Sequence, residues 1–94
     1  MTHYIIVKFL DSVADKTSLC EPIRALFSPA AGIPGIHRID VFPSCIDKTN
    51  RHDLMIRMEM APEALAVFDA SAIHQEWKTQ FGRYIATKTI FDCE

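Results

Sequence analysis

Few side chains in this 94-residue chain can move protons, attack carbon or hold a metal, and they are spread out. Four histidines (His3, His37, His52 and His74) lie far apart, as do three cysteines (Cys20, Cys45 and Cys93). A neutral imidazole titrating near about pH 6.5 can take a proton from an acidic carbon or return one to an enolate oxygen. No Cys-x-x-Cys or His-x-x-x-His pair supplies the short-range bite of a zinc site, so no metal is expected. The densest polar cluster is Asn50-Arg51-His52-Asp53. There Arg51 could clamp a carboxylate, or Asp53 could orient an imidazole. The plainer alternative is a solvated loop capping a sheet. Cys45 and Cys93 would be redox-active only with a lowered pKa, and Lys48 is the one evident basic neighbour.

Composition removes several function classes. Ten Lys+Arg against twelve Asp+Glu give a formal net charge of −2, without the basic footprint that nucleic acid requires. No apolar run approaches the roughly 20 residues of a membrane span. The first residues, Met1-Thr2-His3-Tyr4, carry no leader pattern. The odd cysteine number then points to free thiols in a reducing compartment. A cytoplasmic protein with one domain over residues 1–94, no cofactor and no membrane or nucleic-acid partner is expected. Hydrophobic types make up 49% of the chain. Yet so short a chain buries only about 60–65% of its unfolded surface, so a partner subunit is the expected supplement.

The elements that must position these groups follow from periodicity. His3 to Phe9 reads as a strand with His3, Ile5, Val7 and Phe9 on one face and Tyr4, Ile6 and Lys8 on the other. Ser18 to Glu21 fits a capping box with Pro22 in the first turn, so a helix is predicted from near Ser18, closed by Pro29 and Gly32. Gly32 to Gly35 reads as a turn. A second strand runs over 36–43, with His37, Ile39 and Val41 facing one way. A third runs over 52–60, with Leu54, Ile56, Met58 and Met60 on one face. Arg38 and Arg57 are expected to be cross-strand partners of Asp40 and Glu59. Pro62 opens a short helix to about Ala70, and Ser71 caps another running to about Tyr84. Phe68, Trp77 and Phe81 are expected in the core between helices and sheet. The same aromatic groups could line a pocket for a flat apolar ligand. A fourth strand, 86–93, sets Thr87, Thr89 and Phe91 against Ile90.

The order β-α-β-β-α-β defines an α+β, ferredoxin-like chain: a four-stranded antiparallel sheet with helices on one face. Most strands carry apolar residues on both faces, so the second face needs a cover. A second copy, joined sheet to sheet as a two-fold homodimer, is the simplest one.

These segments together resemble the stress-responsive dimeric A/B-barrel (Dabb) family over nearly the whole chain. The resemblance rests on His3-Tyr4-Ile5-Ile6-Val7-Lys8-Phe9, Ile33-Pro34-Gly35-Ile36, Asp53-Leu54-Met55-Ile56, Ser71 through Trp77, and Ile90-Phe91-Asp92. It implies a dimeric α/β barrel whose members have diverse functions. One plant relative, olivetolic acid cyclase, closes a polyketide ring. Its cavity histidines match His3 and His74 here. By the same matching its helix tyrosine is Phe68, which cannot donate a hydrogen bond to an oxyanion, and its strand-three histidine is Asp53. The resemblance implies a homodimer holding a small apolar or aromatic ligand between sheet and helices, with His3 and His74 as polar contacts. Asp53 would orient one of them if the fold brings them together, and Phe68, Trp77, Phe81 and Arg51 would complete the binding site. The alternatives are cofactor-free acid/base catalysis by His3 and His74 on an enolisable substrate, and a non-enzymatic stress-response protein.

Overall fold

A computed structural model describes residues 1–94. Four strands form one antiparallel sheet: β1 (Thr2–Phe9), β2 (Ile36–Pro43), β3 (Leu54–Met60) and β4 (Ile85–Cys93), in the spatial order β2-β3-β1-β4. The helices α1 (Cys20–Phe27), α2 (Ala64–Asp69) and α3 (Ala72–Glu76) all lie on one face. The topology is the ferredoxin-like one expected from the element order.

Alternation decides which residues enter the core. Ile5, Val7 and Phe9 of β1 and Leu54, Ile56, Met58 and Met60 of β3 are buried under the helices. They meet Ile23 and Phe27 of α1, Phe68 of α2, and Trp77 and Phe81. Burying one such side chain contributes about 1.5–3 kcal/mol, so this single layer interface holds the subunit together.

Local details depart from expectation in three places. Ser18 does not cap α1. Its hydroxyl donates to the Asp15 carbonyl, a 3-10 turn occupies Lys16–Leu19, and Glu21 turns to Arg24 instead of closing a box. In β2 the register shifts between Ile36 and Arg38, so two residues stand against one. Ile36 therefore joins Ile39 and Val41 on the core face, while His37 is left exposed. The helix after Ser71 is not uniform. It widens to a π turn over Trp77–Phe81 and tightens to a 3-10 turn over Gly82–Tyr84, while Trp77 and Phe81, four residues apart, both stay in the core. The Ser71 cap itself forms: its oxygen accepts from the His74 N–H. The turn into β2 has the type II pattern, with Pro34 second and Gly35 third. Gly35 has φ +92°, and the Ile36 N–H donates to the Ile33 carbonyl.

No helix covers the other sheet face. It carries Tyr4 and Ile6, Met55 and Phe42, and Phe91, which is 57% exposed. An ion-pair cluster sits among them. Asp40 accepts from Arg57 at 2.8 Å and from Arg38 at 2.9 Å, and the Arg57 guanidinium lies 5.3 Å from the Phe42 ring centre. Arg57 Nε is buried without a partner in the chain.

The Arg57 hydrogen bond, reinforced by Arg38, holds the Asp40 carboxyl below its ordinary pKa. A depressed carboxylate contributes stability that is present above its unfolded pKa and lost as pH falls through the folded value. Wild type is therefore expected to lose more stability than Asp40→Asn between about pH 5 and pH 2 in urea titrations. Parallel losses in the two proteins would contradict the role given to this pair.

Candidate functional site

The site begins at the first residues of β1. The alternation that buries Ile5, Val7 and Phe9 also buries His3, which is 4% exposed and the one buried polar side chain of the chain. A buried imidazole without a partner would cost about 1–3 kcal/mol. Here β4 runs antiparallel to β1 and puts Asp92 directly opposite His3. The His3 Nδ1 to Asp92 Oδ1 distance is 2.5 Å, and the carboxylate side chain remains 40% exposed. With Nδ1–H donating to the carboxylate, the neutral ring keeps its lone pair on Nε2, which no protein group engages. This is the arrangement in which a carboxylate orients a histidine base.

His74 reaches the same region from the helical layer. Ser71 fixes the start of α3, and His74 Nδ1 donates to the Asp69 carbonyl at 3.0 Å. Its Nε2 is thereby also left as the acceptor. Phe68 joins the two histidines: its ring centre is 6.4 Å from His3 and 5.3 Å from His74. Two imidazoles with anchored Nδ1 atoms thus flank one phenyl ring. Such a pair presents two Nε2 proton acceptors, and a ring that has become imidazolium can deliver its Nε2 proton.

The remaining expected site residues fall elsewhere. Asp53 does not reach either histidine. It lies at the opposite end of the sheet, where its Oδ2 accepts the Phe9 N–H at 2.8 Å and stands 3.9 Å from Lys16 Nζ. The physical reason is register. Asp53 immediately precedes Leu54, the partner of Val7, whereas His3 pairs with Met58. Asp53 instead borders an open cavity of about 400 Å³ between the first and third loops. Arg51 is exposed beside it, bonded to Asn50, with its carbonyl accepting from Lys8. Phe68 and Trp77 are fully buried and Phe81 nearly so. Phe68 stacks on Phe27 at a ring-centre distance of 6.0 Å, Trp77 meets Phe27 edge-on at 5.2 Å, and Phe81 lies 5.9 Å from Trp77. The space between sheet and helices is filled by these rings within the single chain.

Asp92 is the candidate-site residue that sequence reasoning left without a role. The signal was available, since the ferredoxin-like plan sets the last strand beside the first. What alternation alone cannot supply is the register that puts residue 92 opposite residue 3.

The helical layer ends over β1. On β4 the helix-facing residues by register are Lys88, Ile90 and Asp92, opposite Val7, Ile5 and His3. All three are exposed, Ile90 by 46%. The site is therefore open along β4.

No family model and no curated protein matches the chain. Solved structures do. A dimeric ferredoxin-like protein of unknown function from Bacteroides fragilis superposes with a TM-score of 0.81 at 14% identity, over 99% of this chain and 93% of that one. A dimeric ferredoxin-like protein of unknown function from Thermobifida fusca gives 0.76 at 13% identity, covering 96% and 85%. A Dabb family protein with a ferredoxin-like fold from Mesorhizobium loti gives 0.73 at 10% identity, covering 99% and 93%. The chain thus has the fold of dimeric ferredoxin-like proteins, a Dabb protein among them. No helix is long and apolar enough to cross a membrane.

The hydrogen bond to Asp92 predicts the His3 tautomer. Nitrogen-15 spectra at a pH where the ring is neutral are expected to find the proton on Nδ1, and Asp92→Ala is expected to move it toward Nε2. A ring protonated on Nε2 in the wild type would contradict this geometry.

Proposed function

We propose that the chain works as a Dabb-type homodimer, joined through its uncovered sheet faces, that holds a small apolar or aromatic molecule at the His3–His74 end. The observation that carries the reading is the His3–Asp92 pair. It keeps a polar, oriented imidazole buried against the edge of Phe68, where an aliphatic residue would pack without needing a partner. A ligand entering along the exposed Ile90 row would meet apolar surface first and then the Nε2 atoms of the two histidines. Contact with Phe68 requires that ring to shift, a displacement the open β4 side can accept. Support for the dimer comes from the exposed Phe42 and Phe91, the unpartnered Arg57 Nε, and the dimeric state of the similar structures. Three unpaired cysteines fit a reducing, cytoplasmic setting.

A second reading is favoured by one specific feature. Asp92 on His3 Nδ1 is the geometry of general base catalysis, so the site supports cofactor-free proton transfer on an enolisable ligand. In that reading His3 Nε2 takes the proton from carbon, and His74, entering as the imidazolium, gives its Nε2 proton to the enolate oxygen. The proton on His3 then passes to solvent and His74 is reprotonated from it, while Phe68 only packs against the substrate. A stress-response role without turnover would need the ligand site but not the orienting carboxylate.

Native mass spectrometry of protein purified from cell extract tests the ligand reading. Wild type is expected to carry a releasable small-molecule adduct that His3→Gln and His74→Ala lose at least ten-fold. Wild type without any adduct, behaving like both variants, would contradict it.

A further inference from the structure

We infer that the ligand of this site carries an anionic group, a carboxylate or its like, held by Lys88 and Lys78 at a separate small cleft four residues along β4 from Asp92. The inference rests on the small apolar ligand reading above and extends it to the chemistry of the ligand's other end.

A cleft of about 190 Å³ opens between β4 and the end of the helical layer. Trp77, Lys78, Gly82, Ile85 and Lys88 line it. Its floor is apolar, the edge of Trp77 with Ile85, and its rim carries two cations. Neither Lys78 nor Lys88 has a carboxylate within ion-pair distance, unlike Lys16, Arg24, Arg38 and Arg57, and these two cations border the same cleft. Two unpaired ammonium groups facing one small cleft repel each other and are relieved by an anion between them.

Register ties this cleft to the histidines. Lys88, Ile90 and Asp92 follow one another on the helix-facing side of β4, opposite Val7, Ile5 and His3. At about 3.4 Å per residue, Lys88 stands roughly 14 Å along the strand from Asp92. The row therefore reads cation, apolar surface, oriented imidazole. A flat molecule with one acidic end, lying over Ile90, meets all three in order. A neutral hydrocarbon would leave the lysines unused, and a cation would be repelled by them.

Gly82 supplies a clean way to close the cleft. Its φ of −53° is open to any residue, and a Cβ added there meets nothing within 4 Å. Gly82→Leu would fill the cleft without disturbing the chain around it.

The test is calorimetric titration of the full chain with naphthoate and with naphthamide, its uncharged isostere. Naphthoate is expected to bind about five-fold more tightly, the ratio a partly exposed ion pair supports. Lys88→Gln and Lys78→Gln are expected to remove that preference and leave naphthamide binding unchanged, while Lys48→Gln, in the distant loop, changes neither. Gly82→Leu is expected to weaken both compounds. Equal affinity for the two compounds, unmoved by Lys88→Gln, overturns the inference and leaves the apolar-ligand reading standing. Binding of both that ignores Gly82→Leu overturns it as well. Failure of both compounds to bind wild type removes the apolar reading itself, and the inference falls with it.

Discussion

One layer of helices is all that 94 residues can lay on a four-stranded sheet, and the rest of the structure follows from where that layer stops. It covers β1, β3 and the core face of β2, so their alternate residues vanish from solvent. It does not reach across β4, whose nine residues stay half-buried or exposed from end to end. It leaves the opposite sheet face bare. The aromatic cluster of Phe27, Phe68, Trp77 and Phe81 is the device by which so thin a layer still makes a close-packed core.

Both proposed functional regions are consequences of that incomplete cover. At the open β4 edge, His3 is buried by its place on β1 while its partner Asp92 keeps contact with water. The imidazole is thus dry on one side and tied to a hydrated carboxylate on the other. On the bare face, Asp40 and Arg57 form a charged centre ringed by Tyr4, Ile6, Phe42, Met55 and Phe91. Such a centre costs little while it is solvated. Under a second copy it would be desolvated, which favours a partner that completes the hydrogen bonds, Arg57 Nε included.

Much of this fold was legible in the sequence, and the gaps have physical causes. Strand faces followed from strict alternation in β1 and β3, where apolar and polar residues take turns without interruption. In β2 only Ile36 and His37 were misread, because a bulge between Ile36 and Arg38 inserts one residue without a glycine or proline inside the strand to mark it. Ser18 and Glu21 have the right types and spacing for a capping box, yet Asp15 and Arg24 compete for them and win. His3, His74 and Phe68 do come together, as the family resemblance implied. Asp53 does not join them, and Asp92 stands in the position given to it. That exchange depended on strand register, which is set by tertiary pairing across some ninety residues and leaves no local trace.

The central claim is that this chain is half of a core, with the bare sheet face as the joining surface. Sedimentation velocity at micromolar concentration tests it most directly. The account predicts a species of twice the 10.7 kDa chain mass, shifted to the single-chain mass by Phe91→Glu on the bare face. A wild-type protein sedimenting as a single 10.7 kDa chain would contradict it.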